Sequence, residues 1–294
     1  MLKYRGVVDK RKDQYSLNDR LHLIQCLHKW KASLYIFGRL EWGESKRVIT
    51  EDVRSEFLRV QRECVNVGME LWTWMKPGDY RYTMHAPDRK KFVENALRYI
   101  DFGADGFYLL MDDMHSKDSS GSSGHIRVRD AETHALLIEE LGSALGTKFK
   151  GICGQHYSGI IPNDYSAYWT PILNVLPTYV MITWTGPKVW NATLDACDVP
   201  DTGHPVLLWD NYFASDSIDP ARAPICPYEG RDPLLVNEIT GVVIHPDAHY
   251  PWQYCNLQTA LDFWQNPREY NPKQSFRQAI QSLGDDLCLA RIQH

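Results

Sequence analysis

Apolar residues fall in short runs that alternate with amphipathic stretches from one end of the chain to the other. Arg5–Val8, Ser33–Phe37 and Glu70–Met75 are runs of strand length, the third stopped by Lys76-Pro77-Gly78. Leu17–Trp30 places Leu21, Ile24, Leu27 and His28 on one helical face, and Glu51–Val67 does the same with Val53, Phe57, Val60 and Cys64. Asp88–Ile100 has helical spacing, with Asp88 as the expected N-cap. Gly106–Met111 is apolar throughout, as expected for a strand covered on both faces. The rhythm continues with helix at Ala131–Leu145, strand at Phe149–Cys153, a weaker helix at Tyr165–Leu176 interrupted by Pro171, and strands at Tyr179–Thr183 and Pro205–Trp209. A short helix at Pro233–Glu238, a last strand at Gly241–Ile244 and helices at Leu257–Trp264 and Lys273–Leu283 complete it.

Alternation of strand with helix implies an α/β fold with a parallel sheet. Eight such units within 294 residues match a single closed (β/α)₈ TIM barrel, here expected to span residues 1–294 and end in a closing helix. An open doubly wound sheet is the alternative, but no G-x-G-x-x-G follows a strand and no G-x-x-x-x-G-K-[ST] occurs. Ser116–Gly124 has the composition of a flexible linker. Its place between a strand and a helix makes it a βα loop.

Composition adds exclusions. Hydrophobic residues at 44% and charged residues at 23% are ordinary for a globular chain. A formal net charge of −5 gives no global attraction to nucleic acid or an anionic membrane. The seven cysteines (Cys26, Cys64, Cys153, Cys197, Cys226, Cys255, Cys288) are dispersed, odd in number and without C-x-x-C, which argues against a disulfide framework or zinc site. Met1–Gly6 has no apolar targeting region and no run is long enough to span a bilayer, so the expectation is a cytoplasmic protein without cofactor.

In such a barrel chemistry gathers where strands end. The fourth strand runs into Asp112-Asp113. Side chains alternate along a strand, so one Asp should point at the barrel axis and its neighbour sit at the rim. Like charges this close push one pKa up, which suits a general acid. The competing reading is a helix cap and a surface charge. After the fifth strand, Tyr157 either donates into the mouth or packs; after the sixth, Trp184 is a sugar-stacking floor or a core residue. The seventh brings Trp209, Asn211 and, further on, Asp216; the eighth brings His245. His245 with Asp247 and His249, or His115 with His125, offers metal-type side chains, but none has a recognised spacing, and metal is not expected. No G-x-S-x-G elbow is present. Lys10-Arg11-Lys12 reads as a solvated loop at the mouth.

These pieces in this order resemble glycoside hydrolase family 84, the β-N-acetylglucosaminidases that include protein O-GlcNAcases and hyaluronidase-like enzymes. The resemblance is carried by Arg5-Gly-Val-Val8, Asp19–Ile24, Lys76-Pro-Gly78, Met111-Asp-Asp113, Cys153 with Tyr157-Ser-Gly159, Trp184-Thr-Gly-Pro187, Trp209-Asp-Asn211 with Asp216, Gly230-Arg-Asp-Pro233, and Asn266-Pro with Tyr270-Asn-Pro272. It implies a carbohydrate or glycoconjugate substrate and hydrolysis in which the substrate's 2-acetamido oxygen is the nucleophile, unlike schemes with an enzymic nucleophile. Asp112 would then orient the acetamido N–H, and Asp113 would act as acid and base. Tyr157 would bond the acetamido oxygen, Asn211 would support that side, Asp216 would hold distal hydroxyls, and Trp184 and Trp209 would wall the pocket.

Three segments depart from the family pattern. Asp9-Lys10-Arg11-Lys12-Asp13 replaces a Gly-Phe-Tyr-Gly segment. Phe37-Gly38-Arg39-Leu40-Glu41 lacks the family's Lys, with Leu40 near its position and Arg39 either a substitute or not, and His245-Pro246 replaces Asn-Pro. The resemblance therefore implies a hydrolase with altered sugar or aglycone preference. A glycan-binding barrel without turnover and a hydrolase of N-glycosidic bonds are the alternatives.

Overall fold

The computed structural model describes residues 2–9, 16–38, 49–77, 85–112, 128–214, 225–246 and 253–292. Strands β1 (Tyr4–Val8), β2 (Leu34–Phe37), β3 (Glu70–Met75), β4 (Gly106–Leu110), β5 (Phe149–Cys153), β6 (Met181–Trp184), β7 (Val206–Asp210) and β8 (Gly241–Ile244) form a closed barrel in sequence order. Every neighbouring pair is parallel, and β8 closes on β1 with Tyr4 opposite Gly241. Around it lie α1 (Leu17–Lys29), α2 (Glu51–Val67), α3 (Ala86–Asp101), α4 (Val128–Leu145), α5 (Ser166–Leu173), α6 (Leu235–Glu238), α7 (Gln253–Gln265) and α8 (Pro272–Ile292). The expected (β/α)₈ barrel is thus the observed fold, and the open sheet is not. No described helix is long and apolar enough to cross a membrane.

Local chemistry explains the helix starts. Ser16 caps α1 in a reciprocal box: its hydroxyl accepts from Asp19 N at 3.2 Å while Asp19 Oδ2 accepts from Ser16 N at 2.8 Å. Thr50 caps α2 by accepting from Val53 N. Asp88 is not the cap of α3. The helix begins earlier, at Ala86, with His85 at the cap position, and Asp88 lies in the first turn with its carboxylate 3.2 Å from His85 Nδ1. Pro87 explains the shift, since proline is tolerated in the first turn, where its missing N–H costs nothing.

Strand alternation divides the core in two. Val7, Phe37, Leu71, Phe107, Leu109, Ile152, Ile182, Leu208 and Val242 face outward and pack beneath the helices. Tyr4, Val8, Leu34, Ile36, Trp72, Trp74, Tyr108, Leu110, Cys153, Met181, Leu207, Trp209 and Val243 fill the barrel interior. This parity decides which residues beyond each strand end face the mouth.

One buried group in the outer layer couples stability to pH. His134 on α4 is 1% exposed, with Nδ1 3.1 Å from Tyr168 Oη. Burial lowers its pKa from 6.5 to about 4. The unfolded chain therefore binds a proton over a range in which the folded protein does not, so stability is complete above about pH 6.5 and is lost as pH falls towards about 4. The loss should reach about 3 kcal/mol. Urea unfolding at stepped pH should show this decline in the unaltered chain and a flatter profile for His134→Gln; equal slopes would remove His134 as the cause.

Candidate active site

Parity carries the inward face of β3 from Trp72 and Trp74 to Lys76, and that of β4 from Tyr108 and Leu110 to Asp112. Met111 N donates to Cys153 O at 2.8 Å, so β4 keeps its direction up to the carboxylate. Asp112 is 9% exposed. Its Oδ2 lies 3.6 Å from Lys76 Nζ, while Oδ1 is buried and has no hydrogen-bond partner among the described residues. Asp113, Arg39 and Asp216 lie outside the described residues, as do the Lys10–Lys12 run, Leu40, the Ser116–Gly124 loop and the histidines at 115, 125 and 249.

Beneath the carboxylate the floor is aromatic. The Tyr108 ring lies over Gly151, where a Cβ would come within 2.7 Å of the ring, and its centroid is 6.1 Å from that of Trp209. The Tyr108 hydroxyl is buried and unpartnered among the described residues, and burial pushes the phenol well above its usual range. Trp74 crosses from β3 over Gly38 and donates its indole N–H to Asp9 O at 3.0 Å. Trp209 continues this inner wall and meets His245 edge-on at 6.1 Å. Asn211 joins them: its Nδ2 donates to Val189 O at 2.8 Å and its Oδ1 lies 3.1 Å from His245 Nδ1. Tyr157, half-buried, packs against the same inner cluster. Asp112, Tyr157, Trp209, Asn211 and His245 are therefore gathered at one end of the barrel.

Trp184 is not with them. It is fully buried in the outer layer, because Met181 and Thr183 take the inward positions of β6 and Trp184 takes the next outward one. Its indole N–H donates to Gly159 O at 3.1 Å, Gly159 N donates to Gly186 O at 3.0 Å, and Thr185 donates to Tyr157 O through its N at 2.9 Å and its hydroxyl at 3.3 Å. The Trp184-Thr-Gly turn thus clamps the loop that carries Tyr157. Asp9 also faces outward. It is buried against the Arg20 guanidinium and accepts from Tyr35 Oη at 2.7 Å, so the first residue of the rewritten loop braces α1 and β2. Arg20 in turn pairs with Glu56 of α2. Among the described residues no group of three His, Cys, Asp or Glu side chains is placed to hold a metal ion.

Lys76, Tyr108 and Trp74 were missing from the sequence-derived candidates. Counting inward positions back from Asp112 and forward from Trp72 would have found all three. Trp190, 53% exposed with its N–H on Tyr212 O, carried no comparable signal.

The sequence profile of the beta-N-acetylglucosaminidase family matches residues 13–291. The chain belongs to that family. The resemblance to glycoside hydrolase family 84 is borne out by this match. Two curated relatives are the Protein O-GlcNAcases of Mus musculus, 24% identical over 268 residues, and Rattus norvegicus, 23% identical over 268 residues; each alignment covers 85% of this chain. The chain spans 28% of the length of each of these relatives. Among solved structures, an O-GlcNAc hydrolase variant from Thermobaculum terrenum superposes with a TM-score of 0.80 at 21% identity, over 96% of this chain and 63% of that one. This last likeness establishes the fold.

Within this β-N-acetylglucosaminidase-family barrel, Trp184 has a testable positioning role. Trp184→Phe keeps an aromatic ring but removes the N–H that holds Gly159 and leaves a gap in the outer layer. It should cost about 1–3 kcal/mol in urea unfolding. It should also raise KM for a glycoside more than it lowers kcat, since the Tyr157 loop is released while Asp112 is untouched. An unchanged KM would make Trp184 a packing residue only.

Proposed function

We propose that the chain is a retaining β-N-acetylhexosaminidase working by substrate-assisted catalysis on a glycoconjugate. The observation that carries the reading is Asp112: an inward carboxylate at the end of β4, with Oδ2 paired to Lys76 and Oδ1 buried without a hydrogen-bond partner among the described residues. Its surroundings fit a sugar bearing an N-acyl arm, with the Trp209 wall, the Tyr108 floor and Tyr157 on a clamped loop. The names of the mouse, rat and Thermobaculum terrenum proteins support the same substrate class.

In this mechanism Asp112 accepts the acetamido N–H and raises the electron density on the acyl oxygen. That oxygen bonds to the anomeric carbon as the glycosidic bond breaks, and Asp113 gives its proton to the leaving oxygen. The product is an oxazoline in its N-protonated form, the N–H held by the Asp112 carboxylate. Water then adds to the anomeric carbon, giving a proton to Asp113, and the oxazoline C–O bond breaks to restore the acetamide. Tyr157 steadies the acyl oxygen, Asn211 and Asp216 hold the sugar, and Trp184 acts through the loop it anchors. Arg39 and His245, where the family pattern is rewritten, would shift the sugar or aglycone preference.

The test is release of 4-methylumbelliferone from its β-N-acetylglucosaminide, β-N-acetylgalactosaminide and β-glucoside. Turnover should require the 2-acetamido group. Equal turnover of the β-glucoside would sink the substrate-assisted mechanism. Tight binding of N-acetylhexosaminides without turnover would make the chain a glycan-binding barrel.

A further inference from the structure

Lys76 is the cation beside the carboxylate that follows β4. We propose that Lys76 is the positioning residue for Asp112: its ammonium engages Oδ2 and leaves Oδ1 as the single acceptor presented to the substrate's 2-acetamido N–H. This rests on the reading of Asp112 given above.

A carboxylate turns about a broad, roughly two-fold terminal torsion, so on its own it offers either oxygen over a wide arc. Polarising an N–H needs one oxygen held on line. The pair sits 3.6 Å apart with side chains only 11% and 12% exposed, where solvent screens weakly. Three features fix the lysine. Trp72 and Trp74 set the inward parity of β3, which Lys76 continues. Pro77 confines the residue before it to extended backbone. The register of β3 on β4, Met75 opposite Leu109, brings Lys76 beside the inward positions that end in Asp112. The lysine also offsets the cost of burying a carboxylate, so the arrangement is stable before substrate arrives.

The experiment compares Lys76→Met and Lys76→Arg, each alone and combined with Asp112→Asn. Substrates are 4-methylumbelliferyl glucosaminides bearing N-acetyl, N-fluoroacetyl and N-difluoroacetyl groups. Lys76→Met should lower kcat roughly 10- to 100-fold, the range typical of groups that orient a reacting side chain, with KM little changed. Lys76→Arg should recover most of it. Fluorine weakens the acyl oxygen, so kcat should fall more steeply along the series in Lys76→Met than in the unaltered chain. A purely structural lysine would lower all three substrates by one factor. In the Asp112→Asn background Lys76→Met should cause no further loss. Unchanged kcat in Lys76→Met, or losses that add to those of Asp112→Asn, would overturn the inference while leaving the hydrolase reading intact. No turnover by the unaltered chain would remove both.

Discussion

Asp113→Asn should lower kcat on 4-methylumbelliferyl β-N-acetylglucosaminide by about 10²- to 10⁴-fold, and Asp112→Asn by about 10²- to 10³-fold, but the two losses should respond differently to the leaving group. A general acid matters in proportion to the basicity of the oxygen it protonates. Asp113→Asn should therefore be mildest on a dinitrophenyl glycoside and severest on an alkyl glycoside. In the proposed mechanism Asp112 acts at the other end of the substrate, on the amide that closes the ring. Its loss should be similar across aglycones and should grow as the acyl group is fluorinated. Steady-state kinetics on a two-way set of aglycones and acyl groups separates the roles. An Asp113→Asn variant as impaired on dinitrophenyl as on methyl glycosides would end the acid assignment.

Arg231→Met should destabilise the fold by about 3–5 kcal/mol, because it strands a buried carboxylate. Asp210 ends β7 facing outward, and the Asp210 and Arg231 side chains are 2% and 1% exposed. Arg231 grips both Asp210 oxygens, Nη2 to Oδ1 at 2.7 Å and Nε to Oδ2 at 2.9 Å, and its remaining N–H groups reach Ala192 O and Asn191 O. Tyr212 and Tyr228 lie against the guanidinium at 4.5 and 5.1 Å, and the Tyr228 hydroxyl, also bonded to Asp210, accepts from Trp264 Nε1 at 2.8 Å. Asp210→Leu combined with Arg231→Met should recover part of the loss, since no uncompensated charge remains. Urea unfolding measures both. The effect should reach the mouth too: Asp210 O accepts from His245 N, and Asn211 is the next residue. KM should rise in Arg231→Met even where the folded fraction is held constant.

Strand positions were legible because a barrel strand is buried on both faces and leaves an apolar run with little ambiguity. The inward placement of a carboxylate after β4 was legible because side chains alternate along a strand that keeps its direction through Met111. Trp184 was misplaced by parity alone. The run Tyr179–Thr183 gave β6 without its phase, which is fixed by the register of Met181 on Gly151 and puts Met181 inward and Trp184 outward. Asp88 failed for a related reason, since an acidic residue favours the first turn as well as the cap. Asp9–Arg20 and Asp210–Arg231 left no sequence signal: each joins a strand end to a residue 11 or 21 positions further on that no motif marks, and nothing local to Asp9 distinguishes a buried brace from a solvated loop. Lys76 read as punctuation before Pro77 because its partner lies on the next strand.

The amide of Asn211 fixes the electrical character of the wall beside it. Its nitrogen must face Val189 O, a pure acceptor, so its oxygen must face His245. That oxygen can only accept, which obliges His245 Nδ1 to carry the proton. The residue after the eighth strand therefore turns a donor N–H toward its neighbour, whereas an asparagine at the same place could present either end of its amide. Through one side-chain amide, a backbone carbonyl on the loop after β6 decides that the imidazole nitrogen facing Asn211 is the one that carries a proton.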